Sequence, residues 1–156
     1  TLKGKQSGSF EPVGNLTINS SKLKGVSVAA YEIPSLVDEL PIIMVAACFA
    51  EGRTVIRGAG ELRVKETDRI NSMVRNLKCM GADIRVKKTG SGESIVIKGG
   101  RQLHGASLKS FGDHRTAMSM VVAALAAEGA SRLDDINCVS KSFPGFIEAL
   151  KSLGAG

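Results

Sequence analysis

At 156 residues, with 43% apolar content and no tryptophan, the chain is long enough to build one domain around a real core. Its net charge of +6 favours an anionic partner, but Tyr31 and the five phenylalanines all lie outside the basic clusters. Without such stacking platforms a small anion is the better match than nucleic acid. Cys48, Cys79 and Cys138 have no metal-ligand spacing and apolar surroundings, which predicts three reduced, buried thiols. The longest apolar runs, 40–50 and 116–127, are too short to span a bilayer, and no signal peptide is visible. The expectation is a soluble, cytoplasmic protein with no membrane partner.

Residues 1–10 carry neither periodicity nor caps and read as a loop cut out of something longer. Segments 13–18 and 26–29 are short strand candidates, bounded by Gly14, Asn19 and Gly25. Ile33-Pro34-Ser35 predicts a turn or extended stretch, since the residue before proline avoids the helical region. A helix is expected over 38–50, with Asp38 as N-cap and Pro41 in the first turn; Gly52 ends it, and 54–57 is a strand.

Residues 61–70 hold six charged side chains in ten and open an amphipathic helix over 65–80. Ile70, Met73, Val74, Leu77 and Met80 form its apolar stripe, leaving Asn71, Ser72, Arg75 and Lys78 for the other face. Lys65 and Arg69 are four apart, so both are expected in the first turn, where the helix dipole disfavours cations. An anion is expected to complete that site. Alternating strands follow at 83–87 and 94–98, around a turn at 89–92.

The second half repeats the first. Leu23-Lys24-Gly25 matches Leu103-His104-Gly105, Asp38 matches Asp113, and Glu51-Gly52 matches Glu128-Gly129. Lys65 matches Lys141, and the run 77–82 matches 150–155. Two copies of one αβ unit, over 11–98 and 99–156, account for this order. The first helix of each copy is apolar on nearly every side and is expected to be buried all round, whereas the alternating strands each keep a wet face. Helices inside and sheets outside is the reverse of a doubly wound fold.

Four helix starts carry charge: Asp38-Glu39, Lys65-Glu66-Thr67-Asp68-Arg69, Gly112-Asp113-His114-Arg115, and Lys141-Ser142. Helix N-termini bind anions through unpaired backbone donors, and repeated units would turn these ends toward one surface. Each residue also has a plain reading. Asp38 and Asp113 could be N-caps, Glu66 could compensate a dipole, Lys141 could be a solvated lysine, and His114 a structural hydrogen-bonding histidine. Convergence favours function. Arg69, Arg115 and Lys141 could hold an anion while two carboxylates move protons, which describes a transferase site. No two histidines and no Cys/His pair have metal spacing, so a metal site is not expected, and neither a Walker loop nor a dinucleotide fingerprint is present.

The segments 62–69, 112–118, 141–144 and 36–41 strongly resemble the motifs of the EPSP synthase (3-phosphoshikimate 1-carboxyvinyltransferase) family, in order and spacing, from about Glu11 onward. The resemblance implies an inside-out α/β domain, one of two flanking an active-site cleft. It implies transfer of the carboxyvinyl group of phosphoenolpyruvate to the 5-hydroxyl of shikimate 3-phosphate, with release of phosphate, in aromatic amino acid biosynthesis. By motif, Asp38 would take the proton of the attacking hydroxyl and help bind shikimate 3-phosphate. Glu66 would protonate the methylene carbon. Arg69, Arg115 and Lys141 would hold phosphoenolpyruvate, Lys65 would hold shikimate 3-phosphate, and Asp113 and His114 would support the site. Inhibition by glyphosate is implied too.

Members of that family run to more than twice this length. The chain therefore reads as part of the C-terminal domain, monomeric, inactive alone, and needing an N-terminal domain that completes the site. Two other readings stay open on sequence. One is a UDP-N-acetylglucosamine enolpyruvyl transferase, against which the Lys65–Arg69 run argues. The other is a non-catalytic phosphate-binding or interaction module on the same fold.

Overall fold

A computed structural model describes residues 2–6, 13–65, 67–89 and 92–155. The central sheet has the order β3–β4–β6–β5, built from Ser27–Val28 (β3), Arg53–Arg57 (β4), Asp83–Thr89 (β5) and Gly92–Lys98 (β6). The β3–β4 pair is parallel; β4–β6 and β5–β6 are antiparallel. Alternation sets its two faces. Ile56, Ile84, Ile95 and Ile97 point inward and are almost wholly buried, while Arg53, Arg57, Arg85, Lys87 and Lys98 stay exposed.

Three helices fill the space behind that sheet: Leu40–Phe49 (α2), Arg69–Cys79 (α3) and His114–Ala126 (α4). Leu40, Met44, Met73, Leu77, Met80 and Met120 are 0% exposed and share one core with the inner face of the sheet. This is the inside-out α/β arrangement that the periodicities predict. Among the described residues, no helix is long and apolar enough to cross a membrane.

The two halves repeat the same backbone bonds. Gly25 N–H donates to Glu51 O and Glu51 N–H to Leu23 O; likewise Gly105 N–H donates to Glu128 O and Glu128 N–H to Leu103 O. The parallel pair β3–β4 is mirrored by Ser107–Leu108 (β7) beside Arg132–Leu133 (β8). Val26 N–H meets the Thr54 hydroxyl, as Ala106 N–H meets that of Ser131. Helix α3 closes with Ala82 N–H on Leu77 O, and the short helix Phe146–Ser152 (α5) closes with Ala155 N–H on Leu150 O.

Several sequence expectations are corrected. Leu2–Gln6 (β1) is a strand, paired antiparallel with Val13–Leu16 (β2); backbone pairing made it, not side-chain alternation. Ile33–Leu36 (α1) is one helical turn rather than extended chain, because Pro34 occupies its first turn and Ile33 is buried at 1% exposure. Helix α2 begins at Leu40 with Glu39 as cap residue, so Asp38 is not its N-cap. Helix α3 starts at Arg69, four residues later than expected, because the Asp68 carboxylate accepts Asn71 N–H and caps it there. Lys65 is consequently extended chain after the 3-10 helix Ala59–Val64 and shares no turn with Arg69. Lys141 ends the 3-10 helix Asn137–Lys141 and does not open α5.

Burial differs too. Helix α4 is not enclosed: α3, α2 and the Asn137–Lys141 turn cover one side, while Leu125 is 51% exposed, and Ile42 on α2 is 38% exposed. Cys79 is exposed and Cys138 half-buried. Only Cys48 is buried, donating to Met44 O at 3.2 Å, and burial pushes its thiol up to about 12. Since the thiolate is the reactive form, Cys79 is expected to react with Ellman's reagent in the native chain while Cys48 stays silent until unfolding. Equal native rates at the two would contradict this packing.

Candidate functional site

The starts of the helices converge on one carboxylate. Asp38 sits in the turn between α1 and α2, held there by the buried anchors Ile33 and Leu40 on either side. Its Oδ1 accepts from Arg69 Nη1 at 3.1 Å, and its Oδ2 lies 3.1 Å from Arg115 Nη2. The Asp38 carbonyl also accepts from Arg115 Nη1 at 3.0 Å. Freed from capping, Asp38 is bracketed by two guanidinium groups and still keeps 45% of its side chain exposed.

Arg69 forms the floor. Its side chain is 1% exposed, and Nε donates to Asp113 Oδ2 at 2.8 Å. Asp113, 0% exposed, spends its other oxygen on Thr116 N–H at 2.7 Å and so caps α4, as the sequence suggests. One buried carboxylate thus fixes the start of α4 and turns Arg69 toward Asp38. A charge this deep needs such a partner, because taking it out of water unpaired costs several kcal/mol.

Arg115 is the outer cation, 32% exposed, with Glu39 Oε1 3.9 Å from its Nη1. A cleft of about 210 Å³ opens over Asp38, Glu39 and Arg115, walled by Ile42, Met118 and Phe146. It is an open concavity with charge at one end and apolar side chains at the other. Lys65 and Lys141 are both exposed; among the described residues neither has a carboxylate within ion-pair distance. His114 is the half-buried first residue of α4. Glu66 lies outside the described residues. Asp38, Arg69, Asp113 and Arg115 are therefore brought together, with Lys65, Lys141 and His114 outside their hydrogen-bonded cluster.

Sequence reasoning missed a polar seam beneath this cluster. Ser72, placed on the wet face by periodicity, is 1% exposed, and its Oγ lies 3.1 Å from Thr116 Oγ1 and 3.2 Å from Arg69 O. The Arg69 carbonyl can only accept, so Ser72 donates to it and the Thr116 hydroxyl donates to Ser72. Asn76, 3% exposed, clamps the backbone of Lys109 with both ends of its amide, at 2.8 and 2.9 Å. Arg69, Ser72 and Asn76 recur at a helical spacing, which was the available signal. Farther out, Arg63 joins Asp68 and Glu93 in exposed ion pairs, and its hydrogen bond holds the Glu93 carboxyl below the usual range. Among the described residues, no group of three or more His, Cys, Asp or Glu side chains is placed to hold a metal ion.

Comparison with known proteins places this architecture. A 3-phosphoshikimate 1-carboxyvinyltransferase of Geobacter sulfurreducens is 50% identical over 142 residues, which is 91% of this chain and 32% of that protein. The same-named protein of Salinibacter ruber is 45% identical over 96% of this chain and 34% of its own length. The chain thus spans about a third of the relatives that it matches. The solved EPSP synthase of Acinetobacter baumannii superposes with a TM-score of 0.86 at 36% identity, over 100% of this chain and 36% of that one. The enolpyruvyl transferase NikO of Streptomyces tendae, at 22% identity and a TM-score of 0.62 over 99% of this chain and 33% of that one, shares the fold. The EPSP synthase (3-phosphoshikimate 1-carboxyvinyltransferase) family matches residues 9–150, and with half-identical relatives bearing that name the chain belongs to this family.

Proposed function

We propose that the chain supplies one wall of a site that transfers the carboxyvinyl group of phosphoenolpyruvate to the 5-hydroxyl of shikimate 3-phosphate. The observation that carries this reading is Asp38 bracketed by Arg69 and Arg115 at one end of an open cleft. A carboxylate or phosphate arriving at the exposed Arg115 would replace Asp38 on that guanidinium and leave an Asp38 oxygen free to accept a hydroxyl proton. The hydroxyl oxygen bonds to the enol carbon as its proton passes to Asp38, and Glu66 gives a proton to the methylene carbon. The carbon–oxygen bond to phosphate then breaks, phosphate leaves, and a methyl proton returns to the Glu66 carboxylate as the double bond is restored.

Lys141 joins Arg115 in neutralising the phosphate, Arg69 steadies charge from below, and Lys65 reaches toward shikimate 3-phosphate. Asp113 holds Arg69, and His114 lines the same helix start. No metal or organic cofactor is needed for this addition and elimination. The domain carrying the remaining substrate contacts is the rest of the longer enzyme, and the chain by itself, part of a C-terminal domain, is inactive. The complete enzyme is cytoplasmic, monomeric and open to glyphosate at the phosphoenolpyruvate position.

Calorimetric titration with phosphoenolpyruvate and shikimate 3-phosphate, with and without the remainder of a family enzyme added as a second chain, tests this. Arg115→Ala is expected to weaken phosphoenolpyruvate binding by about 10- to 100-fold, the value of one charge-assisted contact, and Lys141→Ala to weaken it too. Binding indifferent to both substitutions would favour a non-catalytic anion-binding module. Phosphate release by the isolated chain at enzymatic rates would remove the half-site reading.

A further inference from the structure

The segment that delivers Arg115 is strained and is held from two sides by residues that no ligand-binding role explains. Phe111 has φ +55°, a left-handed backbone that a bulky side chain rarely adopts, and Gly112 follows at φ +70°. Such strain persists only where the surroundings over-determine the backbone. Here they do. On one side Asn76 of α3 donates to Lys109 O at 2.8 Å and accepts Lys109 N–H at 2.9 Å. On the other, Asp134 Oδ1 accepts Ser110 N–H at 2.7 Å, and that bond holds the Asp134 carboxyl below its usual range. Within the turn, Asp113 N–H bonds to Ser110 O and Gly112 N–H to Ser110 Oγ, while Arg75 lies 5.6 Å over the Phe111 ring.

We propose that Asn76 and Asp134 are positioning residues for the anion site: they grip residues 109 and 110 from opposite sides and so fix the turn that aims Arg115 at Asp38. Asn76 suits this because its one amide satisfies both polar groups of a backbone unit, as no aliphatic or acidic side chain could. Asn76 and Ser72 lie one turn apart on α3, so the helix that presents Arg69 also locates Arg115. The two arginines are thereby set at a fixed separation.

The inference rests on the anion-site reading for its consequence, and its test separates the two. The 156-residue chain is titrated with phosphoenolpyruvate and, separately, with inorganic phosphate, followed by 1H–15N NMR. Asn76→Ala is expected to weaken binding about fivefold, in the range of two net hydrogen bonds. Asp134→Ala should resemble Asn76→Ala, whereas Asp134→Asn, whose amide oxygen still accepts Ser110 N–H, should lose less. On an Arg115→Ala background Asn76→Ala should add nothing, because the residue acts through Arg115. Ile95→Val, in the sheet, lowers stability without touching the turn and should leave affinity alone. An equal Asn76→Ala loss in both backgrounds, or the same loss from Ile95→Val, overturns the proposal. If the unaltered chain binds neither anion even with the remainder of a family enzyme added as a second chain, the site reading fails by itself. The positioning role is then read without ligand: Asn76→Ala must shift the amides of residues 110–115 and speed exchange at Gly112, and an unmoved spectrum overturns it.

Discussion

Replacing Arg69 by methionine is expected to cost about 3–5 kcal/mol of stability, because it leaves the wholly buried Asp113 carboxylate without its cation. For a chain of this size that corresponds to a fall in Tm of about 10 °C. Methionine keeps the volume and the apolar stem, so packing loss contributes little and the deficit reports the stranded charge. Adding Asp113→Asn should recover much of it, since an asparagine oxygen can still accept Thr116 N–H at the start of α4. Arg69→Lys should fall between, because an ammonium cannot span Asp113 and Asp38 as the planar fork does. Urea midpoints for the four proteins decide the matter. If Arg69→Met costs under about 1 kcal/mol, or Asp113→Asn gives no recovery, the buried pair does not hold the helix starts together.

The same residue shows how far sequence reasoning reached. The apolar stripe of α3 was legible because burial against a sheet selects Ile70, Met73, Leu77 and Met80 at helical spacing. Its second buried face was not, since periodicity places Ser72 on the wet face, and Arg69 and Asn76 are polar side chains outside the apolar stripe. Only hydrogen-bond partners far along the chain, such as Asp113, Thr116 and the Lys109 backbone, make their burial tolerable. The start of α3 failed for a local reason. Charge at 65–69 suggested a helix terminus, but Asp68 can cap and Lys65 cannot, so the cap decided where the helix began. Asp38 erred in the opposite sense. It has the chemistry of a cap, yet two guanidinium groups compete for its oxygens, and α2 starts without it. Family resemblance singled out Asp38, Arg69 and Arg115 by position; the bracketing of one carboxylate by two arginines required coordinates.

Gly105→Ala is expected to be about as damaging as the loss of a buried ion pair, 3 kcal/mol or more, because the new methyl has nowhere to go. A Cβ there would sit 2.1 Å from Ala130 O and 2.6 Å from its carbonyl carbon. Gly25 repeats the situation, with a Cβ 2.4 Å from Arg53 O. In both places the strand leaving the turn crosses directly over the chain that follows a helix, bonded to Glu128 O or Glu51 O, so only backbone fits. Relief would require separating β7 from β8, or β3 from β4. Gly129→Ala provides the comparison. It has φ +85° but no atom closer than 4.0 Å, so it should cost only the left-handed penalty of about 1–2 kcal/mol. Chemical denaturation should rank Gly105→Ala and Gly25→Ala together, well below Gly129→Ala, and the reverse order would refute the close crossing. The two crossing variants should still differ in function. Moving β7 displaces Lys109 and with it the turn that carries Arg115, so Gly105→Ala should also loosen the contact of Arg115 with Asp38. Gly25→Ala strains the β3–β4 edge, whose Val55 N–H bonds to Val26 O, and reaches Arg115 only through the Asp38 turn.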